Sequence, residues 1–224
     1  MSNKYGRNDN IKVAVDVVVF GLINRDLNIL LIKPSKKEMN GRWALPGGLV
    51  EEDLSLIQQA ENILKRKTGI ENSLLDQLAT FGNPDRDPFG RVISVAYISL
   101  VDTKRFELKP GEFQEDVQWF SIKKTPKLAY DHKEILDTAI KRLAGKMEYT
   151  NISQGILDNS FTLTQLQEVY ELVLSKKFDK RNFRKKILSL NMVEETGEKE
   201  MKTSNRPAML YKFTDKNIRE YQVI

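Results

Sequence analysis

Ten residues near the N-terminus leave this chain few choices of fold. Their sequence, IKVAVDVVVF at positions 11–20, is rich in β-branched and aromatic residues, which is typical of a strand buried inside a sheet. A turn at 24–26 and the apolar segment 27–33 predict that this strand begins a hairpin. Three later segments predict further strands: LLDQLATF (74–81), VISVAYISLV (92–101) and VQWFSI (117–122).

Two other segments have helical periodicity. In residues 54–67 the apolar residues recur every three or four positions, and Gly69 is placed to end that helix in a left-handed conformation. A second helix is predicted over residues 132–144, ending near Gly145. Strands and helices interspersed in this way predict a mixed α+β domain, which we place at residues 1–147.

Composition excludes several classes of protein. The 224 residues include no cysteine, which excludes disulfide scaffolds, thiol nucleophiles and Cys-based metal sites. The one histidine, His132, follows Asp131 at a predicted helix start, and we expect it to be an ordinary surface or capping residue. No apolar run approaches the roughly 20 residues that span a bilayer, and the polar N-terminus lacks the apolar stretch of a signal peptide. We therefore expect a cytoplasmic protein with no membrane partner.

The last third of the chain has a different organisation. Thr162 and Gln165 fit a capping box at the start of one amphipathic helix, and Asp179 is a second N-cap that begins KRNFRKKILSL. The segments MVEET and AMLYKF then predict two strands joined by a polar loop. Helix, turn, helix and hairpin is the winged helix-turn-helix pattern, which we place at residues 148–224.

Positive charge is concentrated on the second of these helices. Between Lys176 and Leu190 there are seven basic residues and one acid, Asp179. A charge run alone is usually a solvated helix face, but in a winged helix this helix enters the DNA major groove. We therefore predict contacts to double-stranded DNA from Lys180, Arg181, Asn182, Arg184 and Lys185, and from Lys202, Asn205 and Arg206 in the wing. The alternative is a basic module that binds protein.

The segment LPGGLVEEDLSLIQQAENILKRKTGI, residues 45–70, resembles the Nudix box, G-x5-E-x7-R-E-U-x-E-E-x-G-U. Gly48 and Gly69 occupy its two glycine positions without a gap. The glutamates that the resemblance requires for catalysis are replaced. Leu54 stands at the first glutamate, Asn62-Ile63 at the Arg-Glu pair, and Arg66-Lys67 at the Glu-Glu pair that holds magnesium in active members.

The substitutions argue against a metal-dependent enzyme. Magnesium prefers carboxylate and phosphate oxygens, and two cations in place of two carboxylates repel a divalent ion. We therefore predict no metal site, no cofactor and no hydrolase activity. Glu61 is the one acid that offers a relocated site, and Arg66 and Lys67 offer direct neutralisation of a phosphate.

A degenerate Nudix box followed by a basic winged helix is similar to the Nudix-related transcriptional regulators. The resemblance also includes FGNPDRDPFGRVISVAY (81–97) and FTLTQLQ…DKRNFRKKIL (161–188). It implies a Nudix-type α/β/α sandwich that resembles ADP-ribose pyrophosphatases, a homodimer, and release of an operator when a nucleotide-sugar or sugar effector binds. We predict such a regulator, acting as a repressor. The alternative is an active Nudix hydrolase of ADP-ribose or a related nucleoside diphosphate derivative.

An effector of this kind needs cations for phosphate, acceptors for hydroxyl groups and rings for stacking. We predict phosphate contacts from Arg86 and Arg91 and hydroxyl contacts from Asp85 and Asp87. Stacking is predicted for Trp43, Phe81 or Tyr97.

Overall fold

The computed structural model describes residues 11–35, 39, 41–111, 113–200 and 207–223. Three of the predicted DNA contacts, Lys202, Asn205 and Arg206, lie outside the described residues. Within the described ranges, no helix is both long enough and apolar enough to cross a membrane.

The five predicted strands and one further strand form a six-stranded sheet. Its strands are β1 (Lys12–Ile23), β2 (Asp26–Pro34), β3 (Gly47–Leu49), β4 (Leu75–Phe81), β5 (Val92–Val101) and β6 (Gln114–Ser121). The order is β4-β5-β1-β2-β6, with β3 paired to β1, and only β1 and β5 run parallel. The predicted hairpin is confirmed, since Asn24 and Arg25 both have positive φ in the two-residue turn between β1 and β2. Strand β3 was not predicted, because Gly-Gly-Leu has no alternating apolar pattern.

Two helices cover the two faces of the sheet. Helix α1 (Leu56–Thr68) packs on the face of Val15 and Val17, and helix α2 (His132–Tyr149) packs on the face of Val18 and Phe20. The predicted α/β/α sandwich is therefore confirmed. Gly69 ends α1 with a φ of 79°, as predicted.

The predicted end of α2 near Gly145 is wrong, because the helix continues to Tyr149. It stops where the backbone N–H and the hydroxyl of Thr150 both donate to the Lys146 carbonyl, at 2.8 and 2.7 Å. A glycine inside a helix lowers its stability without necessarily ending it. The helix thus passes the predicted domain boundary at 147/148, which remains a prediction.

The predicted winged helix is also present. It comprises α3 (Leu163–Leu174), α4 (Lys180–Ser189), β7 (Val193–Glu200) and β8 (Ala208–Phe213). The capping box of Thr162 and Gln165 is confirmed, and Asp179 caps α4 by accepting from the Asn182 N–H at 2.8 Å. Between the helices, the Glu171 carboxylate accepts from the Phe178 N–H at 3.1 Å and from Lys177 Nζ at 2.6 Å. These bonds fix the turn that sets the angle of α4.

One hydrophobic core joins the sheet to the winged helix. Buried residues of α2, including Leu143 and Met147, belong to the same cluster as Leu166 and Tyr170 of α3 and Ile187 of α4. A short 3-10 turn at Ile152–Gly155 follows α2 and packs on β5, where a Cβ at Gly155 would lie 2.7 Å from the Leu100 carbonyl oxygen. The winged helix is therefore packed against the sheet rather than tethered to it.

The C-terminal tail returns to the junction between the two parts. Asn151 is fully buried, its amide N–H donates to the Asn217 carbonyl at 3.0 Å, and its amide oxygen accepts from the Arg219 N–H at 2.7 Å. The Tyr221 N–H donates to the Tyr149 carbonyl at 2.7 Å. The tail that leaves β8 is thus bonded to the end of α2.

A buried polar network joins the sheet to the start of α2, at the end of this helix opposite the junction with the winged helix. The Arg86 guanidinium donates to both carboxylate oxygens of Asp131, at 2.8 and 2.7 Å, and to Asp16 Oδ2 at 3.2 Å. Asp16 also accepts from the Ser94 hydroxyl at 2.6 Å. Asp16 lies on β1, Arg86 in the loop before β5 and Asp131 at the start of α2, so the network joins three elements that are distant in sequence.

His132 also belongs to this network, so the expectation of a surface or capping residue is wrong. Its Nδ1 accepts from the Leu45 N–H at 2.9 Å, which leaves the proton on Nε2, 3.4 Å from Asp16 Oδ1. His132 is only 4% exposed. The sequence suggested a cap because Asp131 precedes it, but the Asp131 carboxylate is taken by Arg86 and caps no backbone N–H of the helix.

The network makes the free energy of unfolding depend on pH in the acid range. Burial alone would raise the pKa of Asp16, but His132, Ser94 and Arg86 together lower that pKa from 3.8 to about 2. A carboxylate whose pKa falls on folding stabilises the protein above its unfolded pKa, and this contribution is lost as the pH drops from about 4 towards 2.

We expect Asp16→Asn to lower the free energy of unfolding by about 2 kcal/mol at pH 7, since it removes this ionic contribution. Urea unfolding at pH 7, 5 and 3 should show the gap between variant and wild type narrowing at pH 3. Asp85→Asn, which changes an exposed carboxylate near Arg86, is the matched control and should leave the unfolding free energy unchanged. A gap for Asp16→Asn that stays constant with pH would contradict the assignment.

A second prediction concerns the junction. Asn151→Ala removes both side-chain bonds to the tail, and we expect it to lower the unfolding free energy by about 2 kcal/mol, because buried backbone groups lose their partners. Asn159→Ala, which removes one exposed bond to Arg105, should cost far less. Equal costs for the two variants in urea unfolding would show that the tail contacts contribute little.

Candidate functional site

A cleft of about 1330 Å³ opens where β3 pairs with the first half of β1. It is bounded by Gly47 and Gly48 of β3, by one side of α1 and by the loop before β5. Asp16, Arg86 and His132 lie in its wall. The volume exceeds the roughly 300–1,000 Å³ of most small-molecule sites, so a nucleotide-sized ligand can be accommodated.

The residues at the former metal positions line this cleft. The Lys67 ammonium donates to the Gly47 carbonyl at 2.5 Å, and Arg66 pairs with Glu51 at 3.1 Å. Asn62 and Ile63, at the former Arg-Glu pair, line the cleft as well. The box helix therefore presents positive charge at the place where an active Nudix enzyme presents carboxylates.

The Nudix fold implies magnesium, but the residues present do not fit it. Magnesium needs oxygen ligands, while the box positions supply a guanidinium and an ammonium. Glu51 lines the cleft but is paired with Arg66, and Glu61 is exposed and outside the cleft lining. Among the described residues, no group of three His, Asp or Glu side chains is arranged to hold a metal ion.

Some of the predicted effector residues line the cleft and others do not. Asp87 and Arg91 line the cleft; the Asp87 carboxylate accepts from the Phe89 N–H at 2.8 Å, and Arg91 donates to the Gly82 carbonyl at 2.8 Å. Arg86 lines it too, but its guanidinium is buried and occupied by Asp16 and Asp131. Asp85 is exposed and lies outside the cleft lining.

The three predicted stacking rings are not in the cleft lining. Trp43 packs edge-on against Phe120 with ring centroids 4.6 Å apart. Phe81 is buried in the core on the α2 face of the sheet, and Tyr97 in the core on the α1 face. These large rings fill the layers of the sandwich, which is the common fate of an aromatic residue in or beside a buried strand.

Sequence analysis missed several residues of the cleft. Gln59 is 4% exposed, its amide N–H donates to the Leu49 carbonyl at 2.8 Å, and its amide oxygen has no hydrogen-bond partner among the described residues. Gln114 also lines the cleft with a buried, unpartnered amide oxygen. Tyr130, with a positive φ of 52°, lines it beside His132. Helical spacing from Arg66 would have indicated Gln59, which lies two turns earlier on the same face.

The second candidate surface is the outward face of α4. Phe183 and Ile187 are buried against α3, and Lys180, Arg181, Asn182 and Lys185 are exposed. Arg184 is only half exposed, because it lies at the flank of the helix and donates to the Thr164 hydroxyl at 3.2 Å. The described part of the wing is acidic, with four glutamates on β7 against Lys199 and Lys212. The positive charge of the described winged helix is therefore concentrated on α4.

Comparison with known families divides the chain in the same way. A model of the NUDIX domain matches residues 12–139, and a model of the NrtR DNA-binding winged helix domain matches residues 155–213.

Similar proteins agree with this division. The chain is 36% identical over 205 residues to the ADPR-responsive transcriptional repressor NtrR of Acinetobacter baylyi, covering 90% of this chain and 81% of that one. Its first part is 38% identical over 120 residues to an ADP-ribose pyrophosphatase of Methanocaldococcus jannaschii, covering 54% of this chain and 70% of that one.

The fold matches Shewanella oneidensis NrtR, solved in complex with a 27mer DNA. That match has a TM-score of 0.80 and 32% identity, and it covers 90% of this chain and 93% of that chain. The NUDIX domain of the same protein, solved with ADP ribose, matches with a TM-score of 0.55 and 32% identity over 58% of this chain and 87% of that chain. This chain therefore belongs to the family of Nudix-related transcriptional regulators, in which a Nudix domain precedes an NrtR-type DNA-binding winged helix domain.

Proposed function

We propose that this protein is an ADP-ribose-responsive transcriptional repressor whose Nudix domain senses the nucleotide and does not hydrolyse it. The replacement of the metal-binding glutamates by Arg66 and Lys67, inside an intact Nudix cleft, is the observation that carries this proposal. The relatives supply the rest, because one is an ADPR-responsive repressor, and another has been solved in complex with DNA and, as its NUDIX domain in a separate structure, with ADP ribose.

Helix α4 is the proposed DNA-reading element. Arg181 and Lys185 lie opposite the buried Phe183 and Ile187, so a major groove facing α4 meets these cations first. Asn182, in the first turn, is placed to reach base edges, since amide side chains pair with adenine. Lys180 and Arg184 flank this face and contact phosphates, together with Lys202, Asn205 and Arg206 of the wing.

The protein acts as a homodimer in this proposal. Two copies related by a two-fold axis present two α4 helices to the two half-sites of a palindromic operator. Because a repressor acts where the chromosome is, we assign the protein to the cytoplasm.

Effector binding weakens the fit to DNA by shifting the population of arrangements of the winged helices. A ligand shifts such an equilibrium only if it binds the two states with different affinity. Asp87 and Arg91 of the cleft wall belong to the loop that holds Arg86, and Arg86 is bonded to the start of α2. Helix α2 runs from there to the junction with the winged helix, which gives the ligand a packed route to α4.

We predict that Lys185→Ala weakens binding to a duplex of random sequence and lowers the slope of log K against log salt by about one, because one phosphate contact is lost. We expect Arg181→Ala and Arg184→Ala to do the same, each through the loss of a phosphate contact. Fluorescence anisotropy at four salt concentrations measures the slopes. Lys133→Ala, on the exposed face of α2, is the control; an unchanged slope for all three α4 variants would remove α4 from the interface.

We also predict that ADP-ribose releases the DNA and is recovered intact. A gel-shift titration with the operator, selected from random duplexes, should show loss of the complex as ADP-ribose is added, and chromatography after incubation with Mg²⁺ should show no AMP. Production of AMP at an enzymatic rate, abolished by Glu61→Gln, would instead support the hydrolase. DNA binding that does not respond to ADP-ribose would contradict the proposed effector.

A further inference from the structure

Resting on the proposed function, we infer that the cleft binds the diphosphate of its ligand with side-chain cations in place of a divalent metal, while Gln59 accepts a hydrogen bond from a ligand hydroxyl. The ligand class is a nucleoside diphosphate linked to a hydroxylated group. The proposal deepens the sensor role by assigning a metal-independent site to the degenerate Nudix box.

The cations stand where the metal would be held. Lys67 Nζ is bonded to the Gly47 carbonyl, and it would lie 3.8 Å from a Cβ at Gly48, so the ammonium lies beside the two glycines of β3. An ammonium is a compact charge with three N–H donors, and phosphate oxygens are among its best acceptors. Arg66, one residue earlier, adds a planar guanidinium that is suited to phosphate.

The charge of the cleft as a whole favours an anion. Its lining contains five cationic side chains, Lys12, Arg66, Lys67, Arg86 and Arg91, and three acidic ones, Asp16, Glu51 and Asp87. Arg86 is paired with Asp16 and Asp131 in the buried network, and Arg66 with Glu51. The other lining charges are three cations, Lys12, Lys67 and Arg91, against Asp87, and this excess of cations is the reverse of what a magnesium site requires.

Gln59 supplies an independent indication of a ligand. Its amide N–H faces the Leu49 carbonyl, which fixes the orientation of the amide and leaves the oxygen as the unpartnered atom. Buried acceptors nearly always have a donor, so this oxygen is built to receive one. Gln59 and Lys67 lie eight residues apart on one face of α1, and a ligand that reaches both must carry an anionic group and a hydroxyl about two helical turns apart.

The decisive experiment is isothermal titration calorimetry of the full chain with ADP-ribose, in buffer with Mg²⁺ and in buffer with EDTA. We expect the same Kd within twofold in the two buffers. Lys67→Gln should weaken binding about tenfold or more, because a charge-assisted bond is lost, and Gln59→Met should weaken it several-fold.

Lys65→Gln is the matched control, because Lys65 is on the same helix but pairs with Glu71 outside the cleft, and it should bind like wild type. Thermal unfolding shows whether each variant is folded. If Lys67→Gln does not fold, the comparison of wild type in Mg²⁺ and in EDTA still tests whether binding needs a metal. Binding that requires Mg²⁺, or a folded Lys67→Gln with unchanged affinity, would overturn this inference and leave the effector proposal standing. Absence of binding in both buffers would overturn both.

Discussion

The buried ion network of Asp16, Arg86 and Asp131 holds the elements around the cleft together. A guanidinium taken out of water is tolerated only when it is paired, and here three carboxylate oxygens accept from its Nε and Nη2 groups. The network leaves no room for a side chain on Gly47, since a Cβ there would overlap Asp16 Oδ1. It thereby fixes Gly47 of β3, the loop before β5 and the start of α2 relative to one another, and all three border the cleft.

We propose phosphate recognition at both ends of the molecule. In the Nudix domain, the box helix carries Arg66 and Lys67 where the Nudix box has carboxylates, and these cations attract an anion and repel a metal ion. In the winged helix, Arg181 and Lys185 form an exposed cationic face on α4, while β7 is acidic. We therefore expect a DNA duplex to be attracted to α4 rather than to the described part of the wing.

Local rules accounted for most of the elements. The capping box of Thr162 and Gln165, the left-handed Gly69 and five of the six strands of the sheet were predictable because each depends on a few neighbouring residues. The cleft was less predictable. Arg86 is paired with residues 70 and 45 positions away, so no local pattern could show that it is occupied, and His132 was misjudged for the same reason. Trp43, Phe81 and Tyr97 were predicted as stacking rings by residue type, whereas burial in the sandwich layers decides where they lie.

The shared core between sheet and winged helix has a consequence for modularity. The apolar residues of α2, the 3-10 turn after it and the tail bonded to Asn151 all lie in the seam, the region where the sheet and the winged helix pack together. Each of them contacts both halves of the molecule or links them. A recombination event that exchanged only the DNA-reading half would expose this seam to water. A new pairing of sensor and reader would therefore have to preserve both faces of α2, the one that covers the sheet and the one that meets the winged helix, together with the C-terminal tail.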